Sequence, residues 1–138
     1  MGEGQDDDLL TRLVGGELYS VQFVRDNMQL HFESLGEAPY LTCYVMPEIR
    51  GLQSERAQGI TESSPGYADA LRALIGEEVR AATAASGTGL TLQLRTSTII
   101  VNPAPTHLVG PEIAMLSGFS DRAWMVWRPG EDDFAHLA

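Results

Sequence analysis

A motif written twice limits the folds open to this chain. The segment 8–17, DLLTRLVGGE, returns at 69–78 as DALRALIGEE. Asp8, Leu10, Leu13, Gly15 and Glu17 thereby fall on Asp69, Leu71, Leu74, Gly76 and Glu78 at a constant offset of 61, and Val14 meets Ile75. Each anchor leads into two alternating stretches around a turn, ELYSVQFV-RDN-MQLHFES in the first copy and EVRAATAA-SGTG-LTLQLRT in the second. Both copies close with a strand that stops at proline, YLTCYVMP and STIIVNP, which aligns Pro47 with Pro103. Two copies are too few for a solenoid, which needs about three repeats to bury a continuous core. The expectation is one α+β domain over residues 1–138, built from two tandem α-β-β-β halves at 8–49 and 69–103 with a strand section at 104–130. The halves should superpose about a pseudo-twofold axis, in a mainly antiparallel twisted sheet or a partly closed barrel. A chain of 138 residues buries roughly 65 to 70% of its unfolded surface, enough for a real core.

The local signals place the elements. Helices are expected over about 7–14 and 67–75, with Gly15 and Gly76 as left-handed caps beyond their ends. Tyr19, Val21 and Phe23 share one strand face. Met28, Leu30 and Phe32 share another, leaving Gln29, His31 and Glu33 opposite. Turns are expected at Asp26-Asn27 and at Gly87-Thr88-Gly89. The linker EIRGLQSERAQGITESSPG is polar and aperiodic, and reads as a loop.

Charge is informative once located. The net charge is −10, from 19 acids against 9 arginines and no lysine. Glu3, Asp6, Asp7 and Asp8 crowd one end and Glu131, Asp132 and Asp133 the other, so residues 9–130 carry only about −3 of the total. Acidic ends repel phosphates and no basic stripe offsets them, so no nucleic-acid partner is expected. No apolar run approaches the ~18 residues of a membrane span. No membrane partner is expected either, and the reading is a cytoplasmic protein.

Motifs for catalysis are missing. There is no GxGxxG, Walker loop, GxSxG or HExxH pattern, so neither an enzyme nor a cofactor is expected. Cys43 lacks a second cysteine for a disulfide or a CxxC pair. Alternation puts it on the apolar face with Leu41, on the other side of its sheet from His31, which separates a nucleophile from its base. Asp132, Asp133 and His136 in EDDFAH match no metal signature, and no metal site is expected.

RAWMVWRPG is the one aromatic-rich stretch. Trp124 and Val126 share one face and Met125 and Trp127 the other, so at least one tryptophan lies away from the core of a one-sided sheet. With Arg122 and Arg128 at its rim and Glu131, Asp132 and Asp133 beside it, the stretch forms a candidate partner-binding surface.

The second half also resembles a known family. LIGEEVRAA, SGTGLTLQL, the strand ending VNP, GPEIAMLSG and AWMVWRPGEDD are together similar to small proteins frequent in actinobacteria, grouped as a domain of unknown function. The likeness covers residues 69–133, with an echo over 8–49, and departs from the family where EIAMLSG replaces its usual glutamate-tryptophan pair. It implies a fold and no activity. Two function classes follow from the whole reading. One is a non-catalytic protein-binding module of immunity or adaptor type, using the acidic and aromatic surface on a basic protein partner or on a second copy in a homodimer. The alternative is a small-molecule-binding protein with its pocket at the mouth of the sheet, near His107 and the Pro-rich loop.

Overall fold

Period-two alternation, broken by turns, gives this chain strands with one apolar face each. The computed structural model describes residues 4–5, 9–25, 27–51, 59–85, 87–108, 110–131, 134 and 137. Its elements in order are β1 (Gly4–Gln5), a 3-10 turn (Leu9–Leu13), β2 (Glu17–Val24), β3 (Asn27–Glu33), β4 (Tyr40–Cys43), β5 (Glu48–Gly51) and α1 (Tyr67–Arg72). There follow β6 (Ala81–Ala85), β7 (Gly89–Gln93), β8 (Ser97–Val101), a second 3-10 turn (Pro105–His107), β9 (Ala114–Ser117) and β10 (Ala123–Trp127).

Two sheets result, in the orders β1-β10-β9-β4-β3-β2 and β5-β8-β7-β6. Every pairing is antiparallel except that of β1 with β10. They do not close into a barrel. The chain leaves each meander instead of extending it. After β4 it crosses to the other sheet, where β5 pairs with β8, and after β8 it crosses back, where β9 pairs with β4. Pro47, Pro103 and Pro111 stand in these crossovers, where a residue without an N–H ends a ladder. The register is parallel in kind between the meanders. Leu30 faces Leu41 and Met28 faces Cys43 in one, while Leu92 faces Ile99 and Leu90 faces Val101 in the other.

All eight of those residues are buried, within one core shared by both sheets and completed by Leu9, Leu13, Tyr67, Leu71, Leu74, Phe134 and Leu137. Each fully buried leucine contributes about 1.5–3 kcal/mol. The helical segments are shorter than expected. Residues 7–14 give a 3-10 turn over Leu9–Leu13, and the helix expected over 67–75 is α-helical only to Arg72 before turns carry it to Gly76. Packing is exchanged between them: the first turn lies on β6 and α1 lies on β2.

A short ladder between the sheets fixes this exchange. The Gly15 N–H donates to the Val79 carbonyl at 2.8 Å and the Gly76 N–H to the Leu18 carbonyl at 2.7 Å. Val79 donates to Gly16 at 2.8 Å and Leu18 to Glu77 at 3.0 Å. Each bond of either pair becomes the other when 61 is added or subtracted, and Glu17 faces Glu78 at the centre.

The loop reading is corrected. The first four residues of the supposed loop, Glu48–Gly51, are strand β5, because a strand buried on one side by Ile49 needs only one apolar side chain among four. The segment EIAMLSG supplies β9 within the strand section expected over 104–130. The expected turn residue Asp26, Glu3, Asp6 to Asp8 and His136 lie outside the described residues.

Gly15 and Gly76 adopt φ of 90° and 100°. A Cβ at either would meet nothing within 4 Å, so an alanine there costs backbone strain alone. Gly76→Ala is expected to lose about 1–2 kcal/mol, read as a lowered midpoint in urea without a change in slope. An unchanged midpoint would show that the left-handed turn is not needed.

Candidate functional site

Alternation along β10 separates the two tryptophans. Trp127 turns into the core at 3% exposure, and its indole N–H has no acceptor among the described residues. Trp124 faces outward at 37%. Of the pair, only Trp124 is open to a partner. Arg122 is exposed beside it in a left-handed turn with φ of 66°. Arg128 sits at the far end of the strand, 3.5 Å from the Glu112 carboxylate. Glu131 is exposed, whereas Asp132 and Asp133 lie outside the described residues. The structure thus places Trp124 and Arg122 together and Arg128 elsewhere. His107 ends the 3-10 turn Pro105–His107, and its side chain also lies outside the described ones.

The turn that presents Trp124 is held by charge. The Glu37 carboxylate accepts the Ser120 hydroxyl at 2.6 Å and the Ser120 N–H at 2.8 Å. These bonds hold its pKa below the usual carboxyl range. Asp121 accepts the Ala123 N–H at 3.0 Å and the Arg12 guanidinium at 2.9 Å, and its pKa is lowered by the same kind of contact. Both groups stay ionised until the pH falls through these depressed values, so the turn holds at neutral pH.

Where the two crossovers meet, the fold leaves an open cleft of about 1200 Å³. The β4–β5 crossover contributes Tyr44 to Pro47, and the β8–β9 crossover contributes Asn102, Pro103, Thr106 and Glu112. Thr61, Glu62 and Ser63 close one side, and Arg25 and Asn27 from the β2–β3 turn reach the rim. Burial, then the Glu112 and Tyr40 neighbours, push the Tyr44 phenol up, keeping it a hydrogen-bond donor. Glu48 is occupied by the Arg50 guanidinium at 2.7 Å and the Gly59 N–H at 3.0 Å. Beneath the cleft the buried Tyr67 hydroxyl donates to the Pro47 carbonyl, tying α1 to the crossover. These lining residues come from segments far apart in sequence. The strand-ending prolines were their one sequence signal.

Thiol chemistry has no support. Cys43 is wholly buried, and burial pushes its thiol up to about 12. His31 lies on the other face, stacked on Tyr40 at 5.0 Å and bonded to Gln29 at 3.0 Å, with its pKa lowered by burial. Among the described residues no three His, Cys, Asp or Glu side chains are grouped to hold a metal ion. No described helix is long and apolar enough to cross a membrane.

Tyr67→Phe should leave the Pro47 carbonyl without its donor and cost about 1–3 kcal/mol. A lower melting temperature with faster amide exchange around Met46 is the expected result. For His31, whose folded pKa lies below the ordinary value of 6.5, stability should fall as the pH drops below that value, because the unfolded chain then binds the proton better. A His31→Gln variant should flatten that slope in unfolding curves taken between neutral and acid pH.

No protein-family model, curated protein or solved structure matches the chain.

Proposed function

We propose that the chain is a non-catalytic binding protein whose ligand is a small polar molecule held in the crossover cleft. The observation that carries this reading is the cleft itself, formed where both crossovers and their prolines converge. Its volume of about 1200 Å³ is close to the range of known ligand sites, roughly 300–1,000 Å³. Of its wall carboxylates Glu48 is paired with Arg50 and Glu112 with Arg128, which leaves Glu62 and Arg25 as the lining charges without an ion pair among the described residues. Glu62 favours a ligand bearing an ammonium group.

We also read the chain as two related halves of one ancestral unit, each lending a strand to the other's meander. The reciprocal ladder at 15–18 and 76–79 supports this, as does the exchange of β5 and β9. On that reading the cleft belongs to both halves. The resemblance to the actinobacterial domain of unknown function and a cytoplasmic location stand beside it as proposals.

Thermal unfolding across a panel of small amines, amino acids and organic acids tests the ligand reading. A ligand at 100 times its Kd stabilises the fold by about 2.7 kcal/mol, a shift of several degrees. An amine should give such a shift, and Tyr44→Ala or Glu62→Gln should reduce it. A panel with no shift for any amine would sink the idea.

A second reading, a protein partner, is favoured by the exposure of Trp124 beside Arg122. Under it, Trp124→Ala would speed dissociation, whereas neutralising Glu131, Asp132 and Asp133 would slow association. Equal binding by both variants in a folded protein would exclude that surface.

A further inference from the structure

The six-stranded sheet ends in β2, and most of that strand's outer edge has no strand or backbone partner among the described residues. Coverage stops at Leu18, which donates to Glu77 at 3.0 Å and accepts from Gly76 at 2.7 Å. The pairing with β3 then skips Tyr19 and resumes with Ser20 opposite His31, Val21 opposite Leu30 and Gln22 opposite Gln29. Phe32 donates toward Pro39, on the β4 side. By alternation Leu30 and Met28 also point their backbone groups toward β4, while His31 and Gln29 exchange theirs with Ser20 and Gln22. The N–H and C=O groups of Val21 and Phe23 therefore face away from the sheet. They have no backbone partner among the described residues.

Edges of this kind are usually guarded by a lysine, a proline or an inward charge. Residues 18–24, LYSVQFV, contain none of these, and the one bulge of the strand, at Tyr19, lies before the open stretch 20–24. Tyr19, Phe23 and Val24 are instead exposed at 46%, 47% and 49%.

Charge at the two ends of the edge says what covers it. At its start Glu17 stands directly opposite Glu33 on one side and Glu78 on the other. Three exposed carboxylates thus form one cross-strand row, an arrangement that destabilises a sheet unless a cation approaches. No ion pair to any of the three is present among the described residues. At the other end Arg25 is exposed and likewise has no ion pair. An antiparallel copy of the same strand brings each Arg25 to its partner's carboxylate row.

We propose that the open edge of β2 pairs antiparallel with β2 of a second copy, extending the six-stranded sheet across a twofold axis through Gln22. In that register Val21 faces the partner's Phe23 and exchanges backbone hydrogen bonds with it, and Ser20 faces the partner's Val24. Arg25 comes to rest by the partner's Tyr19, one residue beyond the covered Leu18, within reach of Glu17 and Glu78. A register shifted further would drive Val24 and Arg25 into the segment 76–79. The matching edge of the other sheet, β6, lacks this complementarity. Arg80 precedes it, but its turn end reads Ser86-Gly87-Thr88 and carries no acid. The proposal goes beyond the ligand reading and stands or falls without it.

Sedimentation of the full chain should show the 15.0 kDa species doubling in mass at concentrations on the order of 10–100 μM, since so small an interface binds weakly. Gln22 is exposed, and Gln22→Lys sets two ammonium groups against each other on the axis. It should abolish the dimer while leaving the melting temperature of the monomer unchanged. Arg25→Glu should do the same, and Arg25→Glu combined with Glu17→Arg should restore the dimer. Under mild oxidation Gln22→Cys should give a disulfide-linked dimer, because opposed residues of a non-hydrogen-bonded pair lie about 4.5 Å apart at Cα and the native Cys43 is buried. A wild-type chain that stays monomeric at the highest of these concentrations overturns the proposal. So does a dimer that survives both Gln22→Lys and Arg25→Glu.

Discussion

Four backbone hydrogen bonds between residues 15–18 and 76–79 carry the rest of this structure. Among the described residues, the two sheets they join otherwise share only side-chain packing and the crossing chain. Left-handed glycines at 15 and 76 let each segment turn out of a helical stretch and meet its counterpart head-on. Glu17 and Glu78 then face each other, which is unfavourable for like charges, and the backbone ladder together with the buried Leu18 and Val79 offsets that repulsion. With the ladder fixed, the first helical turn packs on β6 and also meets β10, and α1 packs on β2.

The same constraint produces the cleft. Two three-stranded meanders held side by side cannot both be extended by their own next strand, and the chain crosses instead. Each crossing needs an irregular, proline-bearing segment, and both segments end up at one end of the molecule. Irregular backbone over a core leaves donors and acceptors turned outward, which is the composition of a binding site more than of a packing surface. Buried Tyr67 anchors one of the two crossings from below, so the cleft has a firm floor under loop walls.

The proposed self-association and the proposed ligand site use different parts of this frame. The edge of β2 is open because the ladder covers its first two residues and then stops. The cleft lies beyond the β2–β3 turn. Arg25 belongs to both neighbourhoods, at the rim of the cleft and at the end of the open edge. A second copy on that edge would therefore alter the charge at the cleft mouth.

The strands β3, β4, β7, β8 and β10 were legible because their apolar residues alternate onto the core, and so was the burial of Cys43 opposite His31; β2 was legible as a strand, but the irregularity at Tyr19 leaves Tyr19 and Phe23 exposed and buries Leu18 instead. Gly15 and Gly76 were legible as turn residues from their place after an apolar run. Strand β5 was not, since Glu48-Ile49-Arg50-Gly51 holds one apolar residue in four and gains its partner, β8, from forty-six residues downstream. The cleft was equally hidden, because Tyr44, Glu62 and Asn102 carry no common spacing. By itself the sequence determined the local period, the repeat and the distribution of charge, all of which act between near neighbours in the chain. Tertiary structure alone decided which sheet each hairpin joins, which tryptophan reaches the surface and which strand edge stays open. Those outcomes depend on which faces remain unburied once the two sheets have packed, and no single segment contains that information.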